Sequence, residues 1–161
     1  MTNKNTFTLQ PIGYIETKGN GFFIQVSPEF KDALVGLDGF SHLKTLYWFD
    51  KLDKPETRSI LQVDSPYKKA PDVLGIFATR APVRPNLIAM TTVGVIDIDE
   101  ENGRIQVDYI DAEDGSPLLD LKPYTPCEDR VENPSVPEWS AHWPKNVETS
   151  GEFDWDNEFN F

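Results

Sequence analysis

The chain is poor in the residues that anchor several familiar chemistries. It has one cysteine, Cys127, so no internal disulfide can form. That suits a reducing compartment without requiring one. Its two histidines, His42 and His142, stand far apart, and Cys127 has no Cys or His at ligand spacing. Structural zinc is therefore not expected, and no metal is assigned. There is no glycine-rich phosphate loop ending in Lys-Ser or Lys-Thr. Gly19-Asn20-Gly21 opens a Gly-x-Gly pattern, but Ile24 stands where a third glycine belongs and no helix follows directly, which argues against a dinucleotide fingerprint. A Gly-x-Ser-x-Gly elbow for acyl transfer is missing too. No apolar run approaches the ~20 residues that cross a bilayer. Residues 1–10 are polar and hold no apolar signal core. The expectation is a cytoplasmic protein with no membrane partner.

What is present is the composition of a folded domain. The chain has 161 residues, 39% hydrophobic and 12% aromatic, enough for one domain with its own core. The formal net charge is -12, and the charge is unevenly spread. The stretch from Lys44 to Arg84 carries a formal excess of +3, whereas the chain from Asp97 onward carries -14. An acidic field of this size repels polyanions and argues against non-specific nucleic-acid binding. The basic middle softens that argument.

The order of apolar runs and turn signals predicts many short strands. Strands are expected over 7–17 and 22–26, joined through Gly19-Asn20-Gly21 as a hairpin. Ser27-Pro28 predicts a helix over 28–34, with Ser27 as N-cap and Pro28 in the first turn. Residues 42–49 read as a central strand buried on both faces. Residues 53–57 read as a charged loop. Further strands are expected over 59–63, 75–78, 87–98, 104–110 and 116–121. The expected fold class is mainly β: a single β-barrel domain over 1–126 with one or two short helices. From Pro126 onward, four prolines and alternating acidic and aromatic residues suggest an extended acidic, aromatic tail over 127–161. Such a tail is either partly disordered or a strap that packs its aromatics on the barrel or on a partner.

Two segments carry chemistry. In the first, Phe77-Ala78-Thr79-Arg80-Ala81-Pro82-Val83-Arg84-Pro85-Asn86, two arginines four apart sit among prolines that stiffen the backbone. A guanidinium binds carboxylate or phosphate best when pre-oriented. Asn86 adds an amide suited to a base edge or to backbone. The bland alternative is a loop with a surface arginine pair. In the second, Asp111-Ala112-Glu113-Asp114-Gly115-Ser116-Pro117 forms a turn that leads into Leu118-Leu119-Asp120-Leu121-Lys122-Pro123-Tyr124. Its carboxylates could bond ribose hydroxyls or accept a proton from a nitrogen nucleophile. The bland alternative is an acidic hairpin tip.

Taken together these segments resemble the TsaA-like (TrmO-type) family of S-adenosylmethionine-dependent tRNA methyltransferases. Its members carry a Phe-Ala-Thr-Arg-Ser-Pro-x-Arg-Pro-Asn-Pro-Ile-Gly segment and later an Asp-Gly-Thr-Pro segment running into Asp-Ile-Lys-Pro-Tyr. This chain matches at Phe77–Arg80, Pro82, Arg84, Pro85, Asn86 and Ile88, then at Asp114, Gly115, Pro117, Asp120, Lys122, Pro123 and Tyr124. Ile12-Gly13 and the stretch Gly39 to Leu43 fit the same pattern, so the resemblance covers about 7–124. It departs at Ala81, Leu87 and Ala89, and it lacks the Pro-Arg-Gln segment that many relatives carry after the first strand. Asp50-Lys51 replaces a His-Gln pair seen in some of them.

The resemblance implies a β-barrel methyltransferase that binds S-adenosylmethionine, works as a homodimer and methylates the exocyclic nitrogen of threonylcarbamoyladenosine beside the tRNA anticodon. Arg80, Tyr109, Ile110, Asp111, Asp50 and Lys51 are the implied cofactor contacts. Asp111 and Asp114 are the candidates for proton acceptor, and no catalytic residue is otherwise assigned. Arg84, Asn86, Asp120, Lys122 and Tyr124 belong to the structural motif. The alternative is a non-catalytic or divergent barrel of the same family that binds a small ligand.

Overall fold

Alternation of apolar and polar residues folds most of this chain into sheet. The computed structural model describes residues 7–161, so the polar start at 1–10 lies partly outside the described residues. The chain forms two compact units. The first takes the chain up to Lys51 together with Ile88–Thr125, and the second takes Leu52–Leu87 together with Pro126–Phe161.

Six strands build the first unit: β1 (Gly13–Glu16), β2 (Phe22–Val26), β3 (His42–Trp48), β6 (Ile88–Asp99), β7 (Arg104–Val107) and β8 (Pro117–Pro123). They pair antiparallel in the order β1-β2-β7-β6-β3-β8, and β8 returns to β1. The sheet is thus closed. Each strand sends at least one fully buried apolar side chain into the core, among them Ile15, Ile24, Leu43, Val93, Ile105 and Leu118. Burying each contributes about 1.5–3 kcal/mol.

The helix expected at 28–34 is present over Pro28–Leu34, but it is a 3-10 helix and Ser27 makes no side-chain cap. Its Leu34 joins the core. The reading of 42–49 as a strand buried on both faces needs correction. Along β3 buried and half-buried residues alternate, with Leu43, Thr45 and Tyr47 inward. The outward row is also aromatic or apolar at Leu46 and Trp48, which hides the period in the sequence.

The seam between β1 and β8 is short, pairing Gly13 with Leu118 and Tyr14 with Pro117. Ile12 N donates to the Leu118 carbonyl at 2.8 Å and Ile15 N to the Ser116 carbonyl at 3.0 Å. On the other side of β1, where it pairs with β2, Gly13 is obligatory, because a Cβ would sit 2.0 Å from the Gln25 carbonyl oxygen.

The second unit holds a two-stranded sheet of β4 (Gln62–Asp64) and β5 (Val73–Gly75). It also holds three short helices: α1 (Pro55–Arg58), α2 (Pro126–Asp129) and α3 (Val147–Ser150). The expected charged loop at 53–57 runs into α1, which begins at Pro55 and ends at Arg58, and the strand expected at 75–78 is a 3-10 turn over Ile76–Ala78. Residues 127–161 are not an extended tail outside a 1–126 domain; they fold with 52–87. The reason is aromatic packing. Tyr67 stacks on Trp139 at 5.4 Å and meets Trp143 edge-on at 4.8 Å. Phe159 bridges to Tyr67, and Asn160 N donates to the Pro66 carbonyl at 2.9 Å. Glu158 is buried, but its carboxylate accepts from Trp143 Nε1 and bonds His142 Nε2, each at 2.9 Å. Burial disfavours that carboxylate, yet the two hydrogen bonds outweigh it and hold its pKa below the ordinary value.

Two substitutions test this packing. Gly13→Ala should lower stability by about 3 kcal/mol, since the β2 backbone must move to admit the methyl group; an unchanged urea midpoint would show that the β1–β2 pairing is soft at this point. Thr45 is fully buried and its hydroxyl finds no partner. Thr45→Val should therefore raise stability by about 1 kcal/mol in the same measurement, and a loss would mean that the hydroxyl is satisfied in solution.

Candidate functional site

The loop from β7 to β8 is the most heavily tied connection in the first unit. It begins at Asp108, whose Oδ1 accepts from Gly94 N at 2.8 Å and from Tyr109 N at 2.7 Å. Tyr109 stands exposed, its ring edge-on to Phe22 at 5.3 Å. Burial of its hydroxyl, reinforced by the negative charge of Asp111, raises the phenol above its ordinary value. Ile110 turns inward and is 1% exposed. The Asp111 carbonyl accepts a hydrogen bond from the buried Tyr47 hydroxyl, while the Asp111 side chain is exposed.

Glu113 meets Lys51 Nζ at 2.7 Å. That bond depresses the Glu113 carboxyl and raises the Lys51 amine. With the two side chains 71% and 56% exposed, water screens the pair and it adds little to stability. Asp114 is more enclosed. Its Oδ1 accepts from Thr17 N at 3.0 Å and its Oδ2 pairs with Lys18 at 3.1 Å. These contacts, the Thr17 bond foremost, hold its carboxyl below the usual range. Gly115, at φ +83°, completes the turn and donates to the Ile15 carbonyl at 2.8 Å. That conformation suits glycine and explains Asp-Gly at this point.

The structure thus brings together Lys51, Tyr109, Ile110, Asp111 and Asp114 around one loop, with Asp50 opening the 3-10 turn Asp50–Leu52 next to Lys51. Further along, Asp120 pairs with Lys122 at 2.8 Å on β8. Tyr124 follows the strand, donating its N–H to the His42 carbonyl at 2.9 Å and lying beneath Lys44 Nζ at 5.6 Å. These three side chains decorate the sheet and touch none of the loop ties above. Among the described residues no group of three or more His, Cys, Asp and Glu could hold a metal ion, and no helix is long and apolar enough to cross a membrane.

In the second unit the arginine loop follows the 3-10 turn Ile76–Ala78. The Thr79 hydroxyl, buried, donates to the Ile76 carbonyl at 2.9 Å and accepts from Ala81 N at 3.2 Å. Arg84 turns back on its own loop, reaching the Ala81 carbonyl at 3.3 Å and the Thr79 carbonyl at 3.5 Å. It is a brace. Arg58, held by Asp53 at 2.6 Å, touches the Pro85 carbonyl at 3.5 Å. Arg80 and Asn86 have exposed side chains. The Arg80 backbone hydrogen-bonds the Tyr67 hydroxyl, which burial pushes above its ordinary pKa. Tyr67 so joins the loop to the aromatic cluster of its own unit.

Residues 3–130 match the model of the tRNA-methyltransferase O N-terminal domain. The chain belongs to this family. Over 116 residues it is 43% identical to a protein of Pyrococcus horikoshii named as a probable S-adenosyl-L-methionine-binding protein, covering 72% of this chain and 81% of that one. A protein of the same description from Methanocaldococcus jannaschii is 36% identical over 116 residues, 72% of this chain and 90% of the relative. The crystal structure of TrmO from Pseudomonas aeruginosa superposes with a TM-score of 0.67 at 28% identity. That likeness covers 88% of this chain but 65% of the neighbour, so the chain spans about two thirds of that protein.

Two participants escape a reading from motifs: Tyr47 and Lys18. Tyr47 is lost in an aromatic run, where only its hydroxyl on an inward row marks it. Lys18 lies in the segment that departs from the family's Pro-Arg-Gln, and its role depends on a partner far along the chain. Asp114 gives a test of the turn. Its depressed carboxyl stabilises the fold above the unfolded pKa, and that contribution is lost as pH falls through the folded value. Asp114→Asn should lower Tm at pH 7, and the gap should close as the pH drops below about 3.9. A Tm difference that persists unchanged at low pH would assign the effect to something other than this carboxylate.

Proposed function

We propose that this chain is an S-adenosylmethionine-dependent methyltransferase acting on the exocyclic nitrogen of threonylcarbamoyladenosine beside the tRNA anticodon. One observation carries the reading. The loop holding the family's Asp-Gly turn is rigidly tied, yet it keeps a tyrosine ring and a carboxylate exposed. The family membership above and the names of the relatives support the cofactor.

The cofactor supplies a methyl group on a positively charged sulfur. Transfer from such a donor needs alignment more than a covalent intermediate, which fits a chain without a nucleophile triad. The residues present suit the group. The exposed Asp111 carboxylate can accept from ribose hydroxyls, the backbone at Tyr109 and Ile110 can read a base edge, and the Tyr109 ring offers a face to a cation. Asp50 and Lys51 add a carboxylate and an ammonium beside the same loop. Arg80 carries an exposed guanidinium on a braced loop, suited to a carboxylate or phosphate. Both Asp114 oxygens are engaged and its pKa is depressed, so it is the weaker base. Asp111 is left as the carboxylate to take the proton from the nitrogen.

The formal excess of +3 between Lys44 and Arg84 gives tRNA a basic stretch in an otherwise acidic chain. Action as a homodimer in the cytoplasm belongs to the same proposal. A second reading is a barrel of this family that binds a small ligand without catalysis. It is favoured by Lys18, which pairs with Asp114 where many relatives carry Pro-Arg-Gln.

The test is a calorimetric titration with S-adenosylmethionine and, in parallel, S-adenosylhomocysteine. Saturable binding near one molecule per chain is expected, and Arg80→Ala should weaken it roughly tenfold or more, the loss of one charge-assisted contact. No heat and no thermal stabilisation at high ligand concentration would reject the cofactor and the methyltransferase with it. Unchanged affinity in Arg80→Ala would remove that residue alone.

A further inference from the structure

The loop from Asp108 to Ser116 is held by side chains of two kinds. Lys51 on Glu113 and Lys18 on Asp114 act from solvent, where long side chains are easily screened and exchanged. Tyr47 acts from the interior. It is 2% exposed, on the inward row of β3, and its hydroxyl donates to the Asp111 carbonyl. The Thr91 hydroxyl lies 3.2 Å from the same oxygen and limits its rotation. The ring is fixed by an edge contact with Phe49 at 5.8 Å.

The pairing of β3 with β8 shifts register between Leu46 and Tyr47. Such irregularities redirect a side chain and recur beside active sites. Two residues earlier Thr45 is equally buried and has no partner, so this interior does not satisfy its polar groups by default. The Tyr47 bond is specific to one carbonyl. By holding that carbonyl, and with Ile110 anchored in the core beside it, Tyr47 sets the direction in which the backbone at 110–111 and the exposed Asp111 carboxylate face outward.

We infer that Tyr47 is a positioning residue for the cofactor: through the Asp111 carbonyl it pre-orients the 109–111 backbone and the Asp111 carboxylate, and its hydroxyl touches no ligand itself. This rests on the cofactor reading above. The advantage is entropic. A loop ordered before binding does not have to be ordered by it, which lowers the cost of association.

The experiment uses Tyr47→Phe, which keeps the ring and its packing and removes only the hydroxyl. Two quantities are measured on the full chain: amide hydrogen exchange over 109–113, and affinity for S-adenosylhomocysteine by calorimetry. Faster exchange in those amides is expected, with affinity about tenfold weaker, as for one lost hydrogen bond of about 1.4 kcal/mol. Thr91→Val removes the neighbouring hydroxyl and leaves the Asp111 bond, so its affinity should stay within about twofold of wild type. Unchanged exchange over 109–113 in Tyr47→Phe overturns the inference. So does unchanged affinity alongside a wild type that binds, and so does an equal loss in Thr91→Val, which would mark general loosening of the core. A wild type that does not bind S-adenosylhomocysteine at all is a different failure: it removes the cofactor reading, and the positioning role falls with it.

Discussion

The seam between β1 and β8 is the constraint on which the first unit depends. It consists of few hydrogen bonds, yet it closes the sheet and gives every strand two neighbours. The same run of contacts continues past the strand ends. The Ile15 carbonyl accepts from Gly115, and the Thr17 amide donates to Asp114. Closure of the sheet and placement of the Asp-Gly turn are therefore one event. Gly13 serves both pairings of β1: it lies opposite Leu118 in the seam, and on its other side the Gln25 backbone of β2 comes too close for any side chain. A glycine near the N-terminus and a turn about a hundred residues later are thus parts of one local structure.

Polar groups in this chain follow a division of labour set by water. Exposed ion pairs such as Lys51–Glu113 and Lys122–Asp120 steer side chains but add little stability. The buried exceptions are tied down: Glu158 by His142 and Trp143, Tyr47 by the Asp111 carbonyl. Thr45 is the departure. Among the described residues the other buried side-chain polar atoms have partners, so leaving this one open is a local under-optimisation, a state natural proteins tolerate when overall stability suffices.

Much of this was legible in the sequence, and the failures have a common cause. Strand β2 appears at its expected bounds and β6 within a residue of them, because their flanking turns are marked by glycine and acidic residues. The β character of 42–49 was clear, but its two faces were not, since Leu46 and Trp48 on the outer row are as apolar as the inner one. The Asp-Gly turn could be read from its residues, whereas proline placement in the arginine loop pointed to a guanidinium held ready for an anion, and Arg84 instead turns back on the carbonyls of its own loop. Lys18 and Tyr47 could not, since each acts on a residue more than sixty positions away. The fate of 127–161 was hidden for the same reason. Alternating acids and aromatics look solvated until Tyr67, in another part of the chain, supplies the surface on which the aromatics stack.

The aromatic cluster also decides what light reports about this protein. Of the four tryptophans, Trp139, Trp143 and Trp155 belong to the second unit, and Trp48 alone lies in the first. Trp143 touches both of the others edge-on, at 5.2 and 5.5 Å. Rings that close couple electronically and exchange excitation. Tryptophan emission will therefore be weighted toward the second unit, while the closed sheet reports through Trp48 on its outer row and through four of the five tyrosines. A midpoint read from indole emission and one read from heat, to which every packed residue contributes, would then weight the two units differently.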